Sequence, residues 1–172
     1  GTAMVKDINS GSSSSSPTSL TAVGNTLYFT AYDGTNNTEL WKSDGTESGT
    51  MLVKDIYEWG GSSPSHLTAV GSTLYFRATD GTNGYELWKS DGTTNGTVMV
   101  KDINGGSGSS SLNYLTAIGT TLYFRAYDGI NGHELWKSDG SESGTMLVKD
   151  IYEWGDSYPS GLTAVGNNLY FV

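Results

Sequence analysis

The chain repeats itself, and that repetition limits its fold more than any other feature. "ELWKSDGTESGT" begins at Glu39, "ELWKSDGTTNGT" at Glu86 and "ELWKSDGSESGT" at Glu134. The triplet LYF starts at Leu27, Leu74, Leu122 and Leu169, and VKD starts at Val5, Val53, Val100 and Val148. Both series advance by 47 or 48 residues, the period of supersecondary units that stack rather than of independent domains. The 172 residues thus read as one repeat domain, with units 1–48, 49–95 and 96–143 and a partial unit 144–172.

Each unit reads as four short strands. "LTAVG" from Leu20 leads into "NTLYFTAYDG", then "TELWKS", then "GTMLVKDI". Tyr, Phe, Trp, Val, Ile and Thr fill the runs, while Gly, Asn, Asp and Ser punctuate them. No window carries helical periodicity. Four antiparallel strands in such a period predict an all-β fold of β-propeller type, built of four-stranded antiparallel blades. Alternation puts Leu27, Phe29 and Ala31 on one face of their strand, with Tyr28 and Tyr32 on the other. A sheet apolar on both faces needs a neighbour on each side. A linear β-solenoid is the alternative, but its coils stack parallel strands and are shorter.

A longer period overlies the first. Residues 1–77 and 96–172 agree at 58 of 77 positions, so units alternate in two types. "IYEWG" recurs at Ile56 and Ile151, and Ile-Asn at Ile8 and Ile103. This predicts an even number of blades. Strands count to fifteen: one leading fourth-type strand, three sets of four, and two trailing strands. The ring is therefore incomplete in one chain. The open strand edges predict self-association, with two chains forming a homo-oligomeric ring of about eight blades.

Composition excludes several classes of partner. Nine basic against 18 acidic residues give a net charge of −9, which disfavours nucleic acid and anionic membrane surfaces. No apolar run approaches the roughly 20 residues that span a bilayer, and no signal-like segment opens the chain. An export signal, if there is one, lies outside these residues. No cysteine is available for disulfides, thiol chemistry or zinc.

The three copies of "ELWKSDGTxxGT", with Ser141 standing for the usual Thr in one of them, resemble the ELWxxDGT repeat family. Those repeats occur in large, mostly bacterial and exported proteins. The resemblance spans essentially the whole chain. It implies repeat architecture and a surface location, and it brings no catalytic residues with it.

The remaining motifs are weighed one by one. Asp33, Asp44, Asp80, Asp91, Asp128 and Asp139 each precede Gly. Calcium would need about six to eight oxygens in a set order, which "DGTNG" does not supply. Asp-Gly also suits a type I′ hairpin turn, and an Asp side chain can cap its own turn. The expectation is turns, with no metal and no cofactor. The spacing of a sialidase Asp-box fails, because Ser43 and Asp44 are adjacent and Arg77 and Arg125 are the only arginines. His66 and His133, the only histidines, occupy different repeat positions, so no triad repeats. Asn36 and Asn95 match a glycosylation sequon by chance. Trp41, Trp88 and Trp136 read as packing residues.

Trp59 and Trp154 stand apart, in linkers beside Glu58 and Glu153 and behind Tyr57 and Tyr152. An aromatic plate next to a carboxylate suits the CH face and hydroxyls of a sugar. The competing reading folds each Trp over the next blade as packing. These observations predict a non-catalytic extracellular repeat protein, a binding or adhesion scaffold that takes glycans through its inter-blade loops. The alternative is a purely structural or recently amplified self-assembling propeller without a ligand.

Overall fold

The computed structural model describes all of residues 1–172. β1 (Thr18–Val23), β2 (Thr26–Tyr32), β3 (Thr38–Ser43) and β4 (Met51–Lys54) pair in that order as a first antiparallel sheet. β5 (Ser65–Val70), β6 (Thr73–Thr79), β7 (Tyr85–Ser90) and β8 (Val98–Lys101) form the second. The third holds β9 (Asn113–Ile118), β10 (Thr121–Tyr127), β11 (His133–Ser138) and β12 (Met146–Lys149). β13 (Thr163–Val165) and β14 (Asn168–Tyr170) make a closing hairpin. The fold is all-β, three four-stranded antiparallel sheets in sequence plus a small hairpin. It does not close into a ring.

First strands hold the sheets together along one edge: β1 contacts β5, β5 contacts β9, and β9 contacts β13. The sheets fan outward from that line. Thr21 and Thr116 stitch it, their hydroxyls donating to the Leu67 and Leu162 carbonyls at 3.3 and 3.1 Å. A bulge lies in each of β1, β5 and β9, with Ser19, His66 and Tyr114 at φ of 56°, 55° and 56°. A bulge bends and twists an edge, so the innermost strands can converge.

Side-chain alternation on the second strands fills both spaces between sheets. Val23, Tyr28, Leu40 and Val53 of the first sheet meet Leu74, Phe76, Ala78 and Trp88 of the second. Val70, Tyr75, Leu87 and Val100 of the second meet Leu122, Phe124, Ala126 and Trp136 of the third. Each large side chain buried this way contributes about 1.5–3 kcal/mol. On the outer face of the first sheet, Phe29, Ala31 and Trp41 are covered by Ile8, Leu27 and Leu52 alone.

Two expectations change. Fourteen strands form, not fifteen, because the leading segment 1–7 joins no sheet. A strand needs a ladder partner, and no third-type strand lies beside it. It is nevertheless seated: Lys6 Nζ donates to the Thr50 carbonyl at 2.8 Å, as Lys54 and Lys101 donate to Thr97 and Thr145 at 2.9 Å.

Nor are the Asp-Gly pairs two-residue type I′ turns. The two-residue turn instead joins β1 to β2 at Gly24-Asn25, as that Gly-Asn pair predicts, and Gly24 alone takes positive φ (58°), the II′ pattern. Asp44 opens the longer loop 44–50, where its Oδ1 accepts the Thr46 N–H and hydroxyl at 2.9 and 2.7 Å. The Thr46 hydroxyl accepts the Gly49 N–H at 2.9 Å, and Thr50 donates back to the Thr46 carbonyl at 2.7 Å. The Ser43 and Thr50 hydroxyls close the loop at 2.6 Å. Asp91 and Asp139 repeat the arrangement. These side chains cap turns, as an Asp can.

Thermal melts separate packing from capping. Trp88→Ala removes a side chain buried between two sheets and is expected to cost about 3–5 kcal/mol. Asp91→Asn keeps an oxygen for both Thr93 donors and should cost less than about 1 kcal/mol. Chelator should leave the wild-type melt unchanged. An unaltered melt for Trp88→Ala would contradict the packing described, and a large drop with chelator would contradict the capping role.

Candidate functional site

The two linkers singled out by the sequence, 55–64 and 150–162, leave the fourth strands and cross to the next sheet or hairpin. A buried glutamate clasps the base of each. Glu39, fully buried on β3, accepts the Ser62 N–H at 2.6 Å and the Ile56 N–H at 3.4 Å, and also takes the Ser62 hydroxyl. Glu134 does the same with the Ser157 and Ile151 N–H groups at 2.8 and 3.2 Å, plus the Ser157 hydroxyl. Each carboxylate thereby fixes both ends of the loop that carries a Trp. Glu86 holds the intervening linker through Ile103 and Ser110 N–H groups at 3.0 and 2.9 Å.

Within the loops the six expected residues divide. Trp59 and Trp154 are 88% and 87% exposed, so neither folds over a neighbouring sheet, and the packing alternative does not describe them. Glu58 and Glu153 are exposed beside them. Tyr57 behaves differently. Its ring lies against Gly60 and against Gly81 in the second sheet, where any Cβ would collide with it. Tyr57 therefore packs the linker onto the next sheet. Tyr152, its counterpart, lies against Gly155 alone and is 54% exposed.

Only the third sheet gathers these features into a cleft. An open cleft of about 410 Å³ lies between the β10–β11 loop and the linker, lined by Tyr127, Ile130, Asn131, Asp150, Glu153, Trp154 and Asp156 among others. Ile130 and Trp154 form an apolar rim, both nearly fully exposed. Glu153 is exposed while Asp150 and Asp156 are half-buried, and Asp150 Oδ1 has no hydrogen-bond donor, like the same atom of its equivalents Asp55 and Asp102. Asp156 accepts the His133 N–H at 2.6 Å and meets His133 Nδ1 at 2.7 Å. These bonds from His133 hold its carboxyl below the usual range. The imidazole is stacked between Tyr127 and Tyr158, with centroids 4.9 and 4.7 Å away. Arg125 reaches over the Tyr158 ring at 5.6 Å. The three rings stack beside the cleft, and Tyr127 among them lines it. Chemically, the cleft offers an aromatic plate, an apolar edge and several acceptors, all suited to a neutral ligand rich in hydroxyls.

No family model, curated protein or solved structure matches the chain. Sequence reasoning missed Tyr127, Ile130, His133, Asp150, Asp156 and Tyr158. A signal was present for four of them. Aligned at an offset of 95, Thr35, Thr38, Gly61 and Ser63 become Ile130, His133, Asp156 and Tyr158. Of these four, Ile130 and Asp156 line the cleft, and His133 and Tyr158 stack beside it.

The clasps carry a pH dependence. Burial pushes the Glu39 and Glu86 carboxyls up to about 7, and the hydrogen bonds they accept offset only part of it. The unfolded value is about 4.3, so the folded chain binds these protons more tightly. Their contribution is full below about pH 4.3 and is lost as pH rises through about 7. His66, whose proton affinity is lowered by burial and Arg77, acts oppositely. The capping aspartates, with lowered values, matter only in stronger acid. The melting temperature is expected to be higher at pH 5.5 than at pH 8. Glu86→Gln should flatten that slope, and an identical slope in the variant would contradict the assignment.

Proposed function

We propose that the chain is a non-catalytic, extracellular binding scaffold of β-propeller type, whose sheets act as blades and whose inter-blade linkers present tryptophan to carbohydrate. The observation that carries the reading is Trp154, 87% exposed on a loop pinned by Glu134 and bordering a cleft of carboxylates. Exposing an indole to water forfeits burial worth about 1.5–3 kcal/mol, and a sugar's CH face would recover it. The acidic cleft and the net charge of −9 favour neutral saccharides over uronic or sialic acids. The Trp recurs along the fan at Trp59, as lectin sites recur and active sites do not. Convergence of inner strands β1, β5, β9 and β13 supports the propeller reading. The likeness to ELWxxDGT repeats supports an exported setting.

A glycan array of neutral oligosaccharides, followed by titration of the best ligand, tests the proposal. Trp154→Ala should weaken binding by about 30-fold or more, the effect of removing a buried aromatic anchor. Trp59→Ala should act less, because its neighbours Thr35, Thr38 and Gly61 build a poorer site. The double variant should lose binding yet melt within a degree or two of wild type. Wild-type binding in the double variant, or a wild type that binds no glycan, would overturn the reading.

A further inference from the structure

At both interfaces between sheets, the same key fills the same socket. Tyr28 is 4% exposed and its hydroxyl rests where a Cβ on Gly92 would stand. Tyr75, also 4% exposed, rests against Gly140 in the same way. A lysine closes each joint: Lys42 Nζ donates to the Gly92 carbonyl and Lys89 Nζ to the Gly140 carbonyl, both at 2.8 Å.

The chain carries one more socket and two more keys, Tyr123 on β10 and Tyr170 on β14, none of them filled or seated. Gly45 is the repeat equivalent of Gly92 and Gly140, and nothing approaches within 4 Å of its Cβ position. Beside it lies an apolar cavity of about 230 Å³ on the outer face of the first sheet, lined by Val5, Ile8, Pro17, Leu20, Leu27 and Phe29 among others. Ser43 and Thr50, on either side of Gly45, complete its wall. Leu20 is 63% exposed there, whereas its equivalents Leu67 and Leu115 pack against the two cores. At the other end of the molecule Tyr170, the equivalent of Tyr28 and Tyr75, is 59% exposed on β14, and Val165 is 57% exposed beside it.

We infer that a second copy of this chain docks head to tail, its Tyr170 and Val165 entering the Leu20–Phe29 cavity and its Tyr170 hydroxyl resting against Gly45. The contact continues an interface already built twice within the molecule. The leading segment prepares it, because Lys6 on Thr50 holds residues 5–8 where a preceding sheet's outermost strand lies. The incoming β13–β14 hairpin takes the inner half of the same sheet. Residues 2–7 then hold the fourth-strand place and the hairpin the first and second, with the third-strand place between them left open. The joint is a composite sheet made from two copies, and because both halves differ, the contact is heterologous and repeats until the assembly closes.

Sedimentation at tens of micromolar tests this directly. Wild type should run as an assembly of more than one 18.3 kDa chain. Leu20→Glu blocks only the socket and Tyr170→Glu blocks only the key, and each site is exposed to solvent in the single chain. Each variant alone should sediment as one chain, with association weakened on the order of 100-fold or more, and should keep the wild-type circular dichroism. Mixing them leaves one intact socket facing one intact key, so the mixture should yield two-chain particles and nothing larger. If the glutamates unfold the chain, Leu20→Ser and Tyr170→Ser carry the same comparison. A wild type that sediments as a single chain overturns the inference. So do variants that keep the wild-type mass, and so does a mixture that stays single-chain.

Discussion

Every sheet in this molecule is apolar on both faces, and the rest of the structure follows from that constraint. On β6, Leu74, Phe76 and Ala78 face the first sheet while Tyr75 faces the third. A sheet of this kind cannot leave either side in water. Sheets must therefore stack, and the first strands must meet along one edge to bring the faces together. The linkers must then carry the chain from the outermost strand of one sheet to the innermost strand of the next. Stability is shared between neighbours, as in other repeat proteins, and the middle sheet alone is covered on both sides by full sheets.

Polar residues of the repeat solve the problem that stacking creates. Crossing from sheet to sheet leaves backbone groups of the linkers buried, and each must find a partner. The Glu of "ELWKSDGTxxGT" accepts two of them. Leu and Trp fill the core, and Lys reaches to a carbonyl of the following sheet's loop. Ser and the final Thr bond each other, while Asp caps the loop between them. The first Gly leaves room for a tyrosine hydroxyl from the preceding sheet. Thus nearly every letter of the motif belongs either to an interface or to a loop that feeds one, which is why it recurs so closely.

Much of this was legible in the chain itself. The 47–48-residue period, the four strands per unit and the two-faced alternation of Leu27 to Tyr32 all appear in the structure, because they depend on local pattern. What failed depended on partners. The segment around Val5 has the composition of a strand, but a ladder needs a neighbour that no local pattern reveals. Asp44-Gly45 has the composition of a tight turn, but the Thr and Gly that follow offer a longer, fully bonded loop. Tyr57 and Trp59, two residues apart, were grouped as one site. The structure separates them because Gly81, in another sheet, admits the tyrosine ring and leaves the indole outside. The clasp by Glu39 was invisible for the same reason: Ser62 lies 23 residues away.

The cleft shows where repetition stops. An interface motif is held constant because each copy must fit the next, so a change at Trp88, Lys89 or Gly92 disturbs a joint with a neighbouring sheet. Loops between β10 and β11 and beyond β12 face solvent and carry no such obligation. They are free to diverge, and there His133, Asp156 and Tyr158 replace Thr38, Gly61 and Ser63. The replacements are mutually dependent: the carboxylate receives the imidazole, and the imidazole is flanked by two tyrosines. Isolated drift on a surface would not assemble three coordinated changes from two separate loops. In this repeated frame the residues that join sheets are held constant. The coordinated changes fall instead on the loop and linker beside the third sheet, where they bond to one another and leave the joints intact.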